Sequence, residues 1–386
     1  MSLRRVPRAE VLFLESRLSP FLKRALEGLD VFELNLNAPV LHIRPRFVIS
    51  LLRTLPKASR LAAWITAMTK CAGSKVLVGM DNFDLNQYDS KGGSLLEELA
   101  GTLPDVSIFS IQHGQELRRF ATGRPKKRVT LLCWGSWVAD NFPRFGRNES
   151  TFVPVGPLID GLYRAIRPTE IAKDVPICFV STVKGPEWWG EKIGERQLGF
   201  ERLTAFLKRF AETNKISPNI ALTIDRDQNG INEYPLERQW FLDRLGADVV
   251  FTEPRLLFGI EDASFAARRP PEYVKERYST YYLCDRSVVT LGMTSSVLWE
   301  SFGRGNKVLA VNCTENDSFD FPIPGPWFMR QPSYEEFEAR LDEIYSMPDE
   351  EWDRISRDAR QYLIHFDKDI PPHAAINLEI QSSLSR

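Results

Sequence analysis

The chain reads as an α/β protein with mostly parallel sheets, and three observations carry that reading. Short apolar runs of strand length alternate with amphipathic stretches at helical spacing along almost the whole chain. The runs end in polar or glycine-bearing turns such as Asp81-Asn82 and His113-Gly114, where strands of a parallel sheet hand over to helices. At 386 residues the chain exceeds what one core usually supports, so two domains of about 150–200 residues are expected.

The most compact instance of the pattern is Asp285–Cys313. An apolar run (Ser287–Leu291) suits a buried strand, and the loop Gly292-Met293-Thr294-Ser295-Ser296 follows it. A helix then carries Val297–Phe302, Gly303 and Gly305 stop it, and Lys307–Asn312 forms a second buried strand. Thr294, Ser295 and Ser296 place hydroxyls where the helix begins. They either cap that helix or, with its backbone N–H groups and dipole, hold an anion such as a nucleotide phosphate.

In the first half, Val11–Leu14 and Val31–Leu36 read as strands around a helix at Pro20–Leu29, whose Phe21, Leu22, Ala25 and Leu26 share a side. Phe47–Lys70 is helical, broken near Pro56. Lys75–Met80 is a buried strand ending at Asp81, Ser94–Leu103 a helix, and Val106–Gln112 a strand ending at His113-Gly114. Val129–Trp134 and Thr151–Val155 are further strands, with a short helix at Trp137–Phe142. Pro157–Pro176 contains Pro168 and loses the apolar period, which places the domain linker there.

The second half restarts the same alternation. Strands are expected at Pro176–Val180, Ile220–Ile224 and Val249–Thr252, with helices at Gly199–Thr213, Glu237–Leu245 and Glu272–Leu283. Two acidic amphipathic helices, Tyr334–Tyr345 and Asp349–Phe366, and a tail through Pro371 and Pro372 close the chain. The expected division is residues 1–160, residues 170–348, and residues 349–386 as a helix and tail crossing back to the first.

Composition excludes several classes. Lys+Arg 50 against Asp+Glu 51 gives a net charge of −1, so no global field attracts nucleic acid. The one marked charge run, Arg118–Arg128, is either a solvated loop or a contact with anionic lipid headgroups or a phosphorylated partner molecule. The five cysteines are scattered among apolar neighbours without metal-ligand spacing, as in a reduced cytosolic protein. No apolar run approaches the ~20 residues of a membrane span, and the basic N-terminus reaches Glu10 too soon for a secretory signal. The expected location is cytoplasmic, at most peripheral on the inner membrane face. The phosphate-loop, dinucleotide, zincin and hydrolase-elbow motifs do not occur, and the acidic cluster Asp81, Asp84 and Asp89 lacks calcium-loop spacing.

Candidate chemistry lies at strand ends. His113 is either a hydrogen-bonded structural histidine or a general base beside substrate, with Gln112 and Gly114 flanking it. Asp81 either ends its strand in an Asx-turn or deprotonates a hydroxyl. Ser181, Thr182 and Lys184 form a plain turn or a phosphate or sugar-acid site. Asp225 is a catalytic carboxylate or a surface partner of Arg226. Glu300 lies one helical turn after Ser296, where a carboxylate could accept both hydroxyls of a ribose.

In combination, Ser110-Ile111-Gln112-His113-Gly114, Val153-Pro154-Val155-Gly156-Pro157-Leu158-Ile159-Asp160, and Leu291-Gly292-Met293-Thr294-Ser295-Ser296 with Glu300, Gly303 and Gly305 resemble bacterial surface-polysaccharide (capsule or O-antigen) biosynthesis proteins. These are glycosyltransferases of GT-B type, with two Rossmann-like domains facing an interdomain cleft. The pattern is also similar to teichoic-acid glycerophosphotransferases and to Kdo transferases, which brings CMP-Kdo in as a donor. Gln112 stands where the teichoic-acid enzymes typically have Trp, which favours sugar transfer over glycerophosphate transfer. The resemblance implies a metal-independent transferase without a cofactor, since the nucleotide-sugar is a substrate. His113, Asp81 or Asp225 would be catalytic. Gln112, Gly114, Ser181, Thr182, Lys184, Arg226, Thr294, Ser295, Ser296 and Glu300 would bind substrate, and the acceptor would be lipid-linked or polysaccharide. The resemblance makes residues 1–160 the acceptor side and 170–348 the nucleotide-sugar-binding domain; a nucleotide-sugar 2-epimerase, a CDP-glycerol-type glycerophosphotransferase and a non-catalytic nucleotide-sugar-binding scaffold are the competing expectations.

Overall fold

A computed structural model describes residues 6–14, 19–34, 45–56, 58–80, 95–112, 114, 126–141, 149–182, 194–222, 234–252 and 278–385. Asp81, His113, Lys184, Asp225 and Arg226 lie outside the described residues. The chain forms two compact units, Met1–Leu162 with Ile364–Arg386, and Tyr163–Leu363.

In the first unit the described elements are β1 (Val11–Leu14), α1 (Ser19–Ala25), β2 (Val31–Leu34), α2 (Pro45–Thr54), α3 (Arg60–Ala72), β3 (Val76–Met80), α4 (Leu95–Thr102), β4 (Ser107–Ile111), β5 (Lys126–Cys133), α5 (Ser136–Asn141) and β6 (Glu149–Pro154). Their six strands form a parallel sheet in the order β2-β1-β3-β4-β5-β6. Strands β1 and β3 are apolar at every position, and every residue of both is buried, as a central strand covered on both faces requires. Phe47, Ile65, Met68, Leu96 and Leu99 from α2, α3 and α4 pack with Leu12, Leu77 and Ile108 in one core. β5 begins at Lys126, inside the basic run that reads as a loop, and the Arg128 guanidinium donates to the Pro104 carbonyl at 3.1 Å.

Helix α6 (Leu158–Ile166) occupies part of the stretch that reads as a linker, and the unit boundary falls within it, between Leu162 and Tyr163. The second unit then contains β7 (Val175–Val180), α7 (Glu195–Asn214), β8 (Asn219–Ala221), α8 (Tyr234–Leu245), β9 (Val250–Thr252), α9 (Ser279–Arg286), β10 (Ser287–Gly292), α10 (Ser296–Gly303), β11 (Val308–Asn312), β12 (Phe328–Arg330), α11 (Tyr334–Ser346) and α12 (Asp349–Leu363). Its sheet is again six parallel strands, in the order β12-β11-β10-β7-β8-β9. Read from the other edge, the third, second, first, fourth, fifth and sixth strands follow one another, which is the Rossmann order. The α/β class and two Rossmann-like units of GT-B type expected from the sequence are therefore what the chain adopts.

After α12 the chain rejoins the first unit. Where the sequence reads as a tail, Pro372–Leu384 forms a helix, α13, because a proline in the first turn costs no hydrogen bond and Ile376 and Ile380 share a buried face. Asn377 of α13 donates to the Ala25 and Glu27 carbonyls at 2.9 and 3.0 Å.

The second unit is organised around one carboxylate. Asp285, at the end of α9, is 4% exposed and accepts hydrogen bonds on both oxygens. Oδ1 takes Arg304 Nε at 2.7 Å and Asn306 Nδ2 at 2.6 Å; Oδ2 takes the Tyr163 hydroxyl and Arg167 Nη1, each at 2.8 Å. Burial alone would raise the pKa of this carboxyl. The charge of Arg304, the Asn306 hydrogen bond and the charge of Arg167 overcome that and hold it well below the usual carboxylate range. The Arg304 side chain is 0% exposed, and its guanidinium also lies over the Tyr163 and Tyr281 rings, 5.3 and 4.9 Å from their centroids. One carboxylate thus joins the chain entering the unit, the end of α9, the C-cap of α10 and the approach to β11.

Replacing Asp285 with Ala strands the Arg304 charge in the interior and should cost about 3–5 kcal/mol in urea unfolding of the second unit. The folded pKa is depressed, so the contribution is complete above the unfolded carboxylate pKa of about 4 and is lost as pH falls from there towards the folded value. The gap between wild type and Asp285→Ala should therefore be wide at pH 7 and narrow progressively below pH 4.

Candidate functional site

Strand order locates a site before any side chain is considered. In the second unit, strands added after β7 run outward to β9, and the chain then returns to the centre and builds the other way from β10. The connections that leave the neighbouring carboxyl ends of β7 and β10 therefore run in opposite directions, which leaves a crevice at the reversal, the usual ligand position in such sheets. The register pairs Leu291 with Phe179, and a Cβ on Gly292 would lie 3.2 Å from the Val180 carbonyl oxygen. Glycine lets the two strand ends run closely side by side up to their loops.

From β7 emerge Ser181 and Thr182. Ser181 is buried and tied into the sheet by its N–H on the Ala221 carbonyl at 3.0 Å, while its hydroxyl donates to Glu237 Oε1. With its proton committed to a carboxylate, this oxygen suits a donor such as a sugar hydroxyl better than an acceptor such as phosphate. Thr182 Oγ1 is buried and has no hydrogen-bond partner among the described residues. Glu237 was not singled out from the sequence. It stands in the first turn of α8, where the helix dipole favours an acid, and only the fold brings it back against the end of β7.

From β10 emerge Met293 and Thr294, and Ser295 then starts α10. Ser295 is extended at φ −162° and ψ 140°, and its Oγ accepts the Val297 N–H at 3.3 Å. The capping role is thus realised, and it does not use the hydroxyl proton, which remains a donor at the positive end of the helix dipole. One turn on, Glu300 is 4% exposed and its Oε1 accepts the Tyr281 hydroxyl at 2.8 Å. At the far end of the helix Gly305 takes the left-handed φ of +94°, and a Cβ there would fall 2.5 Å from Arg360 Nη1. That is the physical reason for the glycine ending this unit.

At the end of β11, Asn312 Oδ1 accepts the Thr314 N–H at 2.9 Å and the Thr314 hydroxyl at 2.7 Å, and its Nδ2 donates to Asp320 at 2.6 Å. A Cβ on Gly199 of α7 would lie 2.5 Å from Thr314 Cγ2 and 2.8 Å from Met293 Sδ. The first turns of α7 are thereby packed against the loops that follow β10 and β11. The structure brings Ser181, Thr182, Thr294, Ser295 and Ser296 to adjacent strand ends of one sheet.

In the first unit, Gln112 follows β4 and is 1% exposed. Its Nε2 donates to the Gly114 carbonyl at 2.9 Å and its Oε1 accepts the Trp134 N–H at 2.9 Å, while Trp134 Nε1 donates to the Gln112 carbonyl at 3.0 Å. Both ends of its amide are engaged inside the unit, so it clamps the carboxyl ends of β4 and β5. Gly114 receives that clamp. Among the described residues no group of three or more His, Cys, Asp or Glu is placed to hold a metal ion, and no helix is long and apolar enough to cross a membrane.

No protein-family model and no curated protein matches the chain. Solved structures do. A candidate UDP-N-acetylglucosamine 2-epimerase from Listeria monocytogenes is 11% identical and superposes with a TM-score of 0.51 over 96% of this chain and 94% of its own. The wall teichoic acid polymerase TagF is 9% identical, with a TM-score of 0.47 over 98% of this chain and 90% of its own. Phytolacca americana UGT2, complexed with UDP-2-fluoro-glucose and pterostilbene, is 10% identical, with a TM-score of 0.44 over 97% and 99%. At these identities the first likeness is one of fold.

Two substitutions separate structural from ligand roles at the β7 and β10 ends. Ser295→Ala should lower stability by about 1 kcal/mol through loss of the cap. Thr182→Val removes a hydroxyl without a partner and should change it by less than about 0.5 kcal/mol. Urea unfolding in the absence of ligand reads both.

Proposed function

We propose that this protein is a GT-B glycosyltransferase that moves a sugar from a nucleotide-sugar donor to a lipid-linked or polysaccharide acceptor in bacterial surface glycan synthesis. The observation that supports it most is the placement of two hydroxyl-bearing loops, Ser181-Thr182 and Thr294-Ser295-Ser296, on either side of the strand-order reversal in the second unit.

In this reading Thr294, Ser295 and Ser296 receive the donor's phosphates at the start of α10, where the cap leaves the Ser295 proton available and the dipole favours anionic oxygens. Glu300, held at Oε1 by Tyr281, meets the ribose hydroxyls. Ser181, its proton on Glu237, accepts from a sugar hydroxyl, while Thr182 and Lys184 in the same loop serve phosphate or a sugar carboxylate. Arg226 is assigned to donor binding. As the glycosidic bond to phosphate breaks, negative charge grows on the departing phosphate, and preorganised donors at a helix start lower that barrier without metal or cofactor chemistry. His113 or Asp81 removes the acceptor proton in an inverting reaction; Asp225 as nucleophile would give retention. Gln112 and Gly114, joined by a hydrogen bond, flank His113 in sequence. CMP-Kdo is one donor within this reading, and the protein acts at the cytoplasmic face of the inner membrane.

The fold likeness to a candidate 2-epimerase supports one second reading, epimerisation at the same donor site. The two differ in whether an acceptor is needed. A thermal-shift series with CMP, CDP, UDP and GDP should show stabilisation of about 2–3 kcal/mol for the preferred nucleotide at 100 times its Kd. The matching nucleotide-sugar should then be consumed only when glycan acceptor is added, and His113→Ala should slow that turnover by about 10²–10⁴. Conversion to an epimer without acceptor establishes the second reading. Binding without turnover under either condition makes the protein a nucleotide-sugar-binding scaffold.

A further inference from the structure

Helix α2 carries an apolar surface that faces solvent. Phe47 and Thr54 are buried and Leu51 packs on the core of the first unit, but Leu52 is 62% exposed, Ile49 48%, and Val48 and Leu55 38% each. At 3.6 residues per turn, Leu55, Val48, Leu52 and Ile49 follow one another around about a third of the helix circumference. Beyond Ile49 on that circumference come Arg46 and Arg53, stacked two turns apart and both exposed, and Arg60 at the start of α3 is exposed as well. Isolated exposed aliphatic side chains are ordinary; four on one arc, edged by guanidinium groups, are not.

The charge carried by the α2–α3 segment itself has one sign, although Glu98 of α4 accepts the Ser59 N–H at 2.8 Å beside Arg60. Residues 35–80 contain seven Lys or Arg and no Asp or Glu, in a chain whose net charge is −1. The remaining acids lie elsewhere along the sequence, so the local excess is a property of this segment. A second copy of the same face would set Arg46 and Arg53 against their own equivalents, and an acidic peptide would leave the apolar arc unfilled. A convex helix presenting aliphatic side chains with arginines at the edge suits insertion into a headgroup layer, where the chains enter the acyl boundary and the cations meet phosphates.

We propose that α2 is a membrane-docking element that seats the first unit on a lipid surface bearing anionic headgroups, through Val48, Ile49, Leu52 and Leu55 with Arg46 and Arg53 as headgroup contacts. This rests on the reading of a membrane-face enzyme for its purpose, and on α2 alone for its chemistry. It would hold the enzyme where a lipid-linked acceptor is found. The basic run Arg118–Arg128 is not needed for it.

Flotation of the full chain with phosphatidylglycerol–phosphatidylethanolamine vesicles, without nucleotide, tests the assignment. Wild type should float with these vesicles at low salt, and less with pure phosphatidylcholine or at high salt. Leu52→Glu should weaken binding at least about tenfold, and Arg46→Ala and Arg53→Ala about fivefold each. Far-UV circular dichroism and nucleotide-induced thermal stabilisation should be unchanged in all three, so failure of the donor site reads out separately. Should Leu52→Glu prove poorly folded, Ile49→Gln combined with Arg53→Ala replaces it. Absence of wild-type flotation overturns the proposal, as does equal flotation of folded variants. A dimer in sedimentation velocity that Leu52→Glu dissociates also overturns it, because a second copy would then cover the arc.

Discussion

A single buried carboxylate decides how the second unit is put together. Asp285 sits where α9 gives way to β10, and four hydrogen bonds from Arg304, Asn306, Tyr163 and Arg167 saturate it. Removing a charge from water costs several kcal/mol, and the attraction to one fully buried and one half-buried arginine offsets that only with near-ideal geometry. Such a cluster tolerates little displacement. It therefore fixes the starting points of β10 and β11 and the end of α10 relative to one another, at the edge of the sheet opposite the loops that carry the candidate site.

That separation has a functional consequence. In the proposed reading the loops at the carboxyl ends of β7 and β10 meet a ligand, while the Asp285 cluster fixes the opposite end of β10. Ser295 shows how both demands fall on one residue: its oxygen closes the helix while its proton stays available. Ser181 shows the converse, with its proton committed to Glu237. The proposed division, one hydroxyl for phosphate and another for sugar, is consistent with these two hydrogen-bond directions.

Local patterns made much of this legible. Runs such as VLVGM and PICFV are apolar at every position, as a strand covered on both faces requires, and they lie in β3 and β7. The unit Asp285–Cys313 was readable because strand, cap and glycine stop each have their own chemistry. What was not readable depends on distance. Tyr163 and Arg167 lie about 120 residues before Asp285, and nothing near them in sequence marks them as its partners. Glu237 looked like an ordinary first-turn acid. Strand β12 has three residues and follows a proline-rich stretch, so it carries no period to detect. The last helix was hidden because Pro371 and Pro372 signal a break when read forward but a start when read as a helix N-terminus.

Amide hydrogen exchange of the full chain with and without saturating nucleoside diphosphate tests the central claim most directly, because it reports where the nucleotide sits. Binding at the strand-order reversal of the second unit predicts slower exchange at Ser181, Thr182 and the backbone from Met293 to Leu298, with the amides around Asp285 already protected in both states. Saturated binding that leaves those loops unchanged while protecting the strand ends of the first unit would contradict it.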